Sequence, residues 1–229
     1  TRLVALAESI EGWASFIDVG EALVPRLEGA EKSNLLGRMG RVAIQNLRRD
    51  EEAIRFLDAA SSGDAPNLQA AEYLEQLHAA RGAWDRVVDC IIRRAHGSEG
   101  QEAVALLLRA AQTRVDHLRD RKGASSIFDE VLELEPANPT ALEFKGDFLY
   151  KSDDLVGAVK VFEAIEQLDI ERDLEDFDIQ MEQALYYFHF GEALRRLQRK
   201  EDAVFRYEQA LKLNGSHLPS LEAVGPLYV

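Results

Sequence analysis

The stretch Ala184–His217, ALYYFHFGEALRRLQRKEDAVFRYEQALKLNGSH, decides the fold. Numbered from 1 to 34, its key apolar residues are position 4 (Tyr187), 7 (Phe190), 8 (Gly191), 11 (Leu194), 20 (Ala203), 24 (Tyr207) and 27 (Ala210). Spacings of three and four place side chains on one face of a helix. The pattern occurs twice with a polar break between, which is the spacing of two antiparallel helices joined by a tight turn. Gly191 and Ala203 are small enough to let the two backbones approach, and the aromatic rings fill the space on either side. One such pair leaves an apolar face open, so the pattern predicts neighbours stacked on both sides.

Working outward, the same positions recur. Leu142, Gly146, Leu149, Ala158 and Phe162 carry them over residues 139–172. Leu108, Ala111, Val115, Ala124, Phe128, Val131 and Pro136 carry them over 105–138, with Gln112 in place of the small residue at position 8. Over 64–98, Leu68, Ala71, Leu74 and Leu77 form one helix, and Ala83, Val87 and Cys90 read as positions 20, 24 and 27. Over 34–66, Leu35, Leu36, Met39, Val42 and Leu47 line a helix whose N-cap reads as Ser33. Asp50 caps the next, with Ala53, Leu57 and Ala60 on its inner face. Residues 1–32 form a degenerate first unit: a helix over Leu3–Ile10, then a stripe opened by Trp13 and interrupted by Pro25. Residues 218–229 read as one further partial helix, with Pro226 against the pattern.

This 34-residue unit resembles the tetratricopeptide repeat (TPR). The resemblance covers essentially the whole chain and is strongest from Ser33 onward. It implies an all-α fold, a right-handed α-solenoid of about six stacked antiparallel helix pairs, continuous over residues 1–229. The Ala/Leu/Arg-rich units look like long bacterial TPR arrays. Trp13 and Trp84, 71 residues apart, also suggest a two-unit block.

The register breaks once. Gly146 and Gly191 lie 45 residues apart (191 − 146), so about a third of a repeat is inserted at residues 171–183. The insert carries Glu171, Asp173, Glu175, Asp176 and Asp178 against Arg172 alone. Its apolar residues Leu174, Phe177 and Met181 run on into Leu185 and Phe188 at helical spacing. The expectation is a first helix extended backward by two or three turns, over residues 174–198, with acids suited to its N-terminal dipole.

Composition narrows the function. The 229 residues hold 41 acids against 27 bases, a net charge of −14. Nucleic acid and anionic membranes demand a basic footprint, so neither is expected as a main target. A protein or peptide partner of basic or mixed charge suits the surface better. The single Cys90 rules out an internal disulfide and reads as a buried core thiol. No apolar run reaches the roughly 18 residues a membrane-spanning helix needs. The opening TRLVALAESI lacks a signal-peptide pattern, and a chain without an initial Met reads as a fragment; a cytoplasmic location is favoured. There is no glycine-rich phosphate loop, no nucleophile elbow, no His-Glu-x-x-His and no Cys pair. The five His are scattered, and the acidic insert lacks the glycine of a calcium loop. No catalytic residue, metal ligand or cofactor is therefore expected, and the chain is not expected to be an enzyme.

TPR arrays line a concave groove with their first helices, chiefly at positions 2, 5, 9, 12 and 13. Carried over by position, the resemblance implies groove residues Arg38 and Asn46, beside Val42 and Gln45; Glu72 and Glu75, beside Leu68 and Gln76; and Arg109, Asp116 and His117, beside Thr113. Further along it implies Glu143, Asp147 and Lys151, beside Tyr150, and then Phe188, Glu192 and Arg195, beside Arg196. Position 9 reads Val42, Glu72, Thr113, Asp147 and Glu192, which is no carboxylate clamp. The expected function is a non-catalytic scaffold that binds a partner peptide or domain in this groove or along the acidic insert. Two alternatives stay open: a regulatory or substrate-docking arm of a larger enzyme or signalling protein, and a structural spacer in a bacterial envelope or motility assembly.

Overall fold

The computed structural model describes residues 12–168 and 176–227. Among them the chain forms twelve α-helices and no strand. In order these are α1 (Trp13–Leu23), α2 (Gly29–Gln45), α3 (Asp50–Ser61), α4 (Leu68–Ala80), α5 (Trp84–His96) and α6 (Gly100–Thr113). They are followed by α7 (Arg121–Leu134), α8 (Pro139–Lys151), α9 (Leu155–Glu166), α10 (Phe177–Arg196), α11 (Lys200–Leu213) and α12 (Leu218–Val224). The chain divides into two compact units, Thr1–Ile127 and Phe128–Val229. In the first, α2 packs on α3 and α4 on α5; in the second, α8 packs on α9 and α10 on α11.

Four of the turns share the same parts. A residue in the left-handed region ends the turn: Arg48 (φ 55°), Arg119 (φ 55°), Asp153 (φ 68°) and Gln198 (φ 63°). Five residues later stands an alanine with no exposed surface: Ala53, Ala124, Ala158 and Ala203. Four residues after that comes a large buried side chain, Leu57, Phe128, Phe162 or Tyr207. Three of these large groups press on a facing glycine. A Cβ on Gly40 would meet Leu57 at 2.5 Å, one on Gly146 would meet Phe162 at 2.5 Å, and one on Gly191 would meet Tyr207 at 2.7 Å. Interiors are packed too tightly to absorb such an approach without movement. The small–large pairing therefore sets the distance between the two helices.

The α4–α5 hairpin corrects the frame read from the sequence. Its left-handed residue is Gly82 (φ 68°), so Val87 (4% exposed) and Ile91 (1%) take positions 20 and 24. Ala83, expected at position 20, is only the half-buried N-cap of α5. The unit starts at residue 68, four residues later than the frame over 64–98. Ala83 mimics the small residue of position 20 about one turn too early in the chain. In the true frame Glu75 falls at position 8, where α8 and α10 have Gly146 and Gly191, and Arg94 falls at position 27. The two meet in an ion pair of 2.8 Å, with side chains 16% and 18% exposed.

Other differences are local. Ser33 is no N-cap: α2 begins a turn earlier, at Gly29 (φ 53°). The Ser33 hydroxyl instead donates to the Gly29 carbonyl (2.9 Å) and lies 2.5 Å from that of Ala65. Arg49, not Asp50, is the N-cap of α3, and Asp50 sits in its first turn with Glu51 and Glu52. Pro25 ends α1 in a single 3-10 turn, Val24–Arg26. The helix expected over Leu3–Ile10 lies outside the described residues.

The long helix is present but shorter than expected. α10 starts at Phe177 because Asp176 caps it, its Oδ1 accepting from the N–H of Asp178 (2.8 Å) and of Ile179 (3.2 Å). It ends at Arg196. Since position 1 of this repeat is Ala184, α10 runs about two turns beyond it. Leu174 lies outside the described residues.

Candidate partner-binding surface

In the second unit, α8 and α10 lie side by side, and their outer faces carry a connected set of polar and aromatic side chains. Asp147 accepts from Lys151 one turn along α8 (2.9 Å). It also lies 3.3 Å from Nδ1 of His189 on α10. The His189 ring stacks on Tyr150, centroids 4.7 Å apart. On α10, Arg195 grips Glu192 with two parallel bonds, Nε to Oε1 at 2.9 Å and Nη2 to Oε2 at 2.8 Å. The fully buried Tyr207 of α11 donates its hydroxyl to the same Oε1 at 2.5 Å. Arg196 bonds Asp153 in the α8–α9 turn.

The titration of these groups follows from their contacts. The Arg195 guanidinium, and after it the Tyr207 hydroxyl, holds the Glu192 carboxyl below the ordinary glutamate range. Burial, with the Glu192 charge, pushes the Tyr207 and Tyr150 phenols up. Burial and the nearby His189 push His217 down. Glu192 is thus an anchored anion whose charge is spent inside the protein.

Phe188, expected as a groove residue, sits among aromatic neighbours. Its ring is half-buried, 6.1 Å from Tyr207 and 5.4 Å from His217, and it packs against the core. Position 5 of α10 leans toward the start of α12, so the ring closes the side of the hairpin. Glu143, the remaining expected residue on α8, is partly buried.

In the first unit the expected residues are more dispersed. Glu75 bridges Arg94 (2.8 Å) and Arg109 of α6 (2.8 Å), tying neighbouring helices together. Glu72, exposed one turn earlier on α4, has no ion pair among the described residues. Gln112 donates to Asp116 (2.8 Å) in a π-helical turn, Arg114–Leu118, that ends α6. His117 in the same turn stacks on Trp84, centroids 3.6 Å apart. Arg38 sits 5.7 Å above the Phe16 ring, and Asn46 is the exposed C-cap of α2.

Elsewhere the chemistry is quiet. Cys90 is 2% exposed and burial pushes its thiol up to about 11, which keeps it protonated and unreactive. Among the described residues no three His, Cys, Asp or Glu side chains gather as metal ligands. An open cleft of about 730 Å³ lies where α9, α10 and α11 meet, lined by Tyr186, Tyr187, Phe205 and Leu213. The Arg206–Glu166 pair (2.5 Å) lies within its lining, and none of the expected groove residues reaches it.

Two participants escaped the sequence reading: His189 and Asp153. His189 holds position 6, which lies outside the groove set yet faces the preceding first helix. The signal was available in two rings on successive first helices, Tyr150 at position 12 and His189 at position 6. Asp153 is a turn residue, and its bond to Arg196 crosses 43 residues of chain; no local pattern marks it.

No protein-family model matches the sequence, and no curated protein does either. Solved structures do resemble it. One is the C-terminal part of a TPR repeat-containing protein from Cytophaga hutchinsonii, with a TM-score of 0.51 and 13% identity over 96% of this chain and 98% of that one. The chain has the TPR fold. MamA is similar too, with a TM-score of 0.53 and 14% identity over 70% of this chain and 80% of that one. So is PilF of Pseudomonas aeruginosa, with a TM-score of 0.50 and 13% identity over 93% and 96%. At these identities the likeness establishes the fold alone. No helix among the described residues is long and apolar enough to cross a membrane.

Proposed function

We propose that this TPR chain is a non-catalytic protein-interaction scaffold, which holds a partner peptide or domain on the outer faces of its first helices or along the start of α10. The observation that carries the reading is the α8–α10 face. There Tyr150, His189, Asp147 and Lys151 are fixed by one another on two packed helices. A partner docking there orders little on the protein side, which leaves more of the contact energy for affinity. Rigid helical faces with aromatic and charged groups in register are a common route to peptide recognition.

The partner chemistry is mixed. Glu75 and Glu192 are engaged internally, so the acids open to a ligand on these faces are fewer than the sequence implies. Glu72 is one of them. On α8–α10 a ligand meets Asp147 and Lys151 within one turn, which suits a peptide carrying both signs of charge.

Affinity capture from a native lysate, read by mass spectrometry, tests this reading. The wild-type chain is compared with an Asp147→Lys/Tyr150→Ala variant of unchanged helical circular dichroism. Both side chains are partly exposed, so the fold is expected to survive. A protein enriched by the wild type is expected to fall about tenfold or more with the variant, the size expected when anchors near the centre of an interface are lost. Equal recovery with both would reject this face.

A further inference from the structure

The first two turns of α10 project beyond the repeat and carry exposed apolar side chains on one side. Phe177 is 69% exposed, Met181 37% and Leu185 45%, at spacings of four that make one stripe. The turn from α11 into α12 lies next to it: Asn214, the C-cap of α11, has its Nδ2 3.0 Å from Met181 Sδ, and the ring of His217, the N-cap of α12, packs on Phe188 about two turns further along α10. From there α12 presents Leu218 (67% exposed) and Leu221 (44%). Scattered surface leucines need no explanation, but five large apolar side chains on two adjoining helix ends do.

The charged side chains on these two helix ends are all acids. Asp176, Asp178, Glu182 and Glu222 are all exposed, and no Lys or Arg occurs at residues 176–194 or 213–227. A second copy placed symmetrically on this surface would set these acids against their own images, which opposes self-pairing. An anionic membrane is opposed for the same reason.

We propose that this surface docks an amphipathic helix of a partner protein, one with apolar residues at i, i+4 and i+7 bordered by Lys and Arg. The inference rests on the scaffold reading above and assigns it a second surface. The apolar stripe supplies the contact area, and the acidic border selects basic flanks and speeds encounter.

Fluorescence anisotropy with a labelled model peptide of about five helical turns, leucine on one face and lysine on the other, tests it. A control peptide replaces every lysine with glutamate. The lysine peptide is expected to bind the intact chain, and the glutamate peptide to bind at least about tenfold more weakly. Phe177→Ser/Leu185→Ser is expected to weaken the lysine peptide about tenfold or more; the residues are exposed, so helical circular dichroism should not change. Three outcomes overturn the proposal: the double variant binding within about twofold of wild type, both peptides binding equally, or a dimer in sedimentation that Phe177→Ser/Leu185→Ser dissolves. If the stripe variant still binds while Asp147→Lys/Tyr150→Ala loses the peptide, this inference fails and the scaffold reading stands. If lysate capture is insensitive to both variants, the scaffold reading fails as well.

Discussion

Tyr207→Ala is expected to destabilise the second unit by about 3–5 kcal/mol, the range for truncating a fully buried aromatic ring. The ring has no exposed surface, fills the space opposite Gly191 and touches Phe188. Its hydroxyl also completes the ligation of Glu192, so Tyr207→Phe should cost about 1.5–3 kcal/mol by removing one bond to a charged acceptor. The two variants separate packing from hydrogen bonding, and urea denaturation followed by helical circular dichroism measures both. A pH arm checks the electrostatic part. Because Glu192 titrates below the ordinary range, its contribution is complete above the unfolded glutamate value and is lost as pH falls through the folded one. The wild type should therefore lose stability as the pH falls below the unfolded glutamate range, and Tyr207→Phe should lose less over the same fall. Equal losses would detach the hydroxyl from the Glu192 charge.

Gly146→Ala carries the next largest effect, about 1–3 kcal/mol, typical of overpacking a well-filled core. The added methyl would lie 2.5 Å from Cε1 of Phe162, and Phe162 is itself wedged against Tyr186 and Phe190. Shortening the ring should relieve the clash. Gly146→Ala combined with Phe162→Leu is expected to cost at least about 1 kcal/mol less than the two single changes together, as residues in direct contact couple by this much. Strict additivity would mean that the glycine serves some purpose other than admitting the ring.

This small–large pairing also explains how much of the molecule could be read in advance. Gly146 with Phe162 and Gly191 with Tyr207 are written in the sequence at constant spacing, so the hairpins α8–α9 and α10–α11 were legible. The α4–α5 hairpin was misread because Glu75 replaces the glycine, and an ion pair with Arg94 does the work of close packing. Spacing rules based on apolar residues cannot register that exchange. The same limit applies to the surface. Asp147, Lys151, Glu192 and Arg195 were identified by position, but whether a carboxylate faces a ligand or an internal partner depends on contacts between helices. Glu192 and Tyr207 are 15 residues apart, and His189 and Asp147 are 42 apart (189 − 147). The acidic insert signalled a longer α10, yet its start was set by one capping residue, Asp176, among several equivalent acids.

Hydroxyl-radical footprinting of the chain with its captured partner tests the central claim most directly, since it reads the exposure of individual side chains. Tyr150 lies on the proposed α8–α10 face, Met181 and Phe177 on the α10 stripe, and the half-exposed Phe205 on α11 outside both. The partner is expected to shield Tyr150, with or without Met181 and Phe177, and to leave Phe205 unchanged. Shielding of Phe205 with Tyr150, Met181 and Phe177 still fully reactive would contradict the claim.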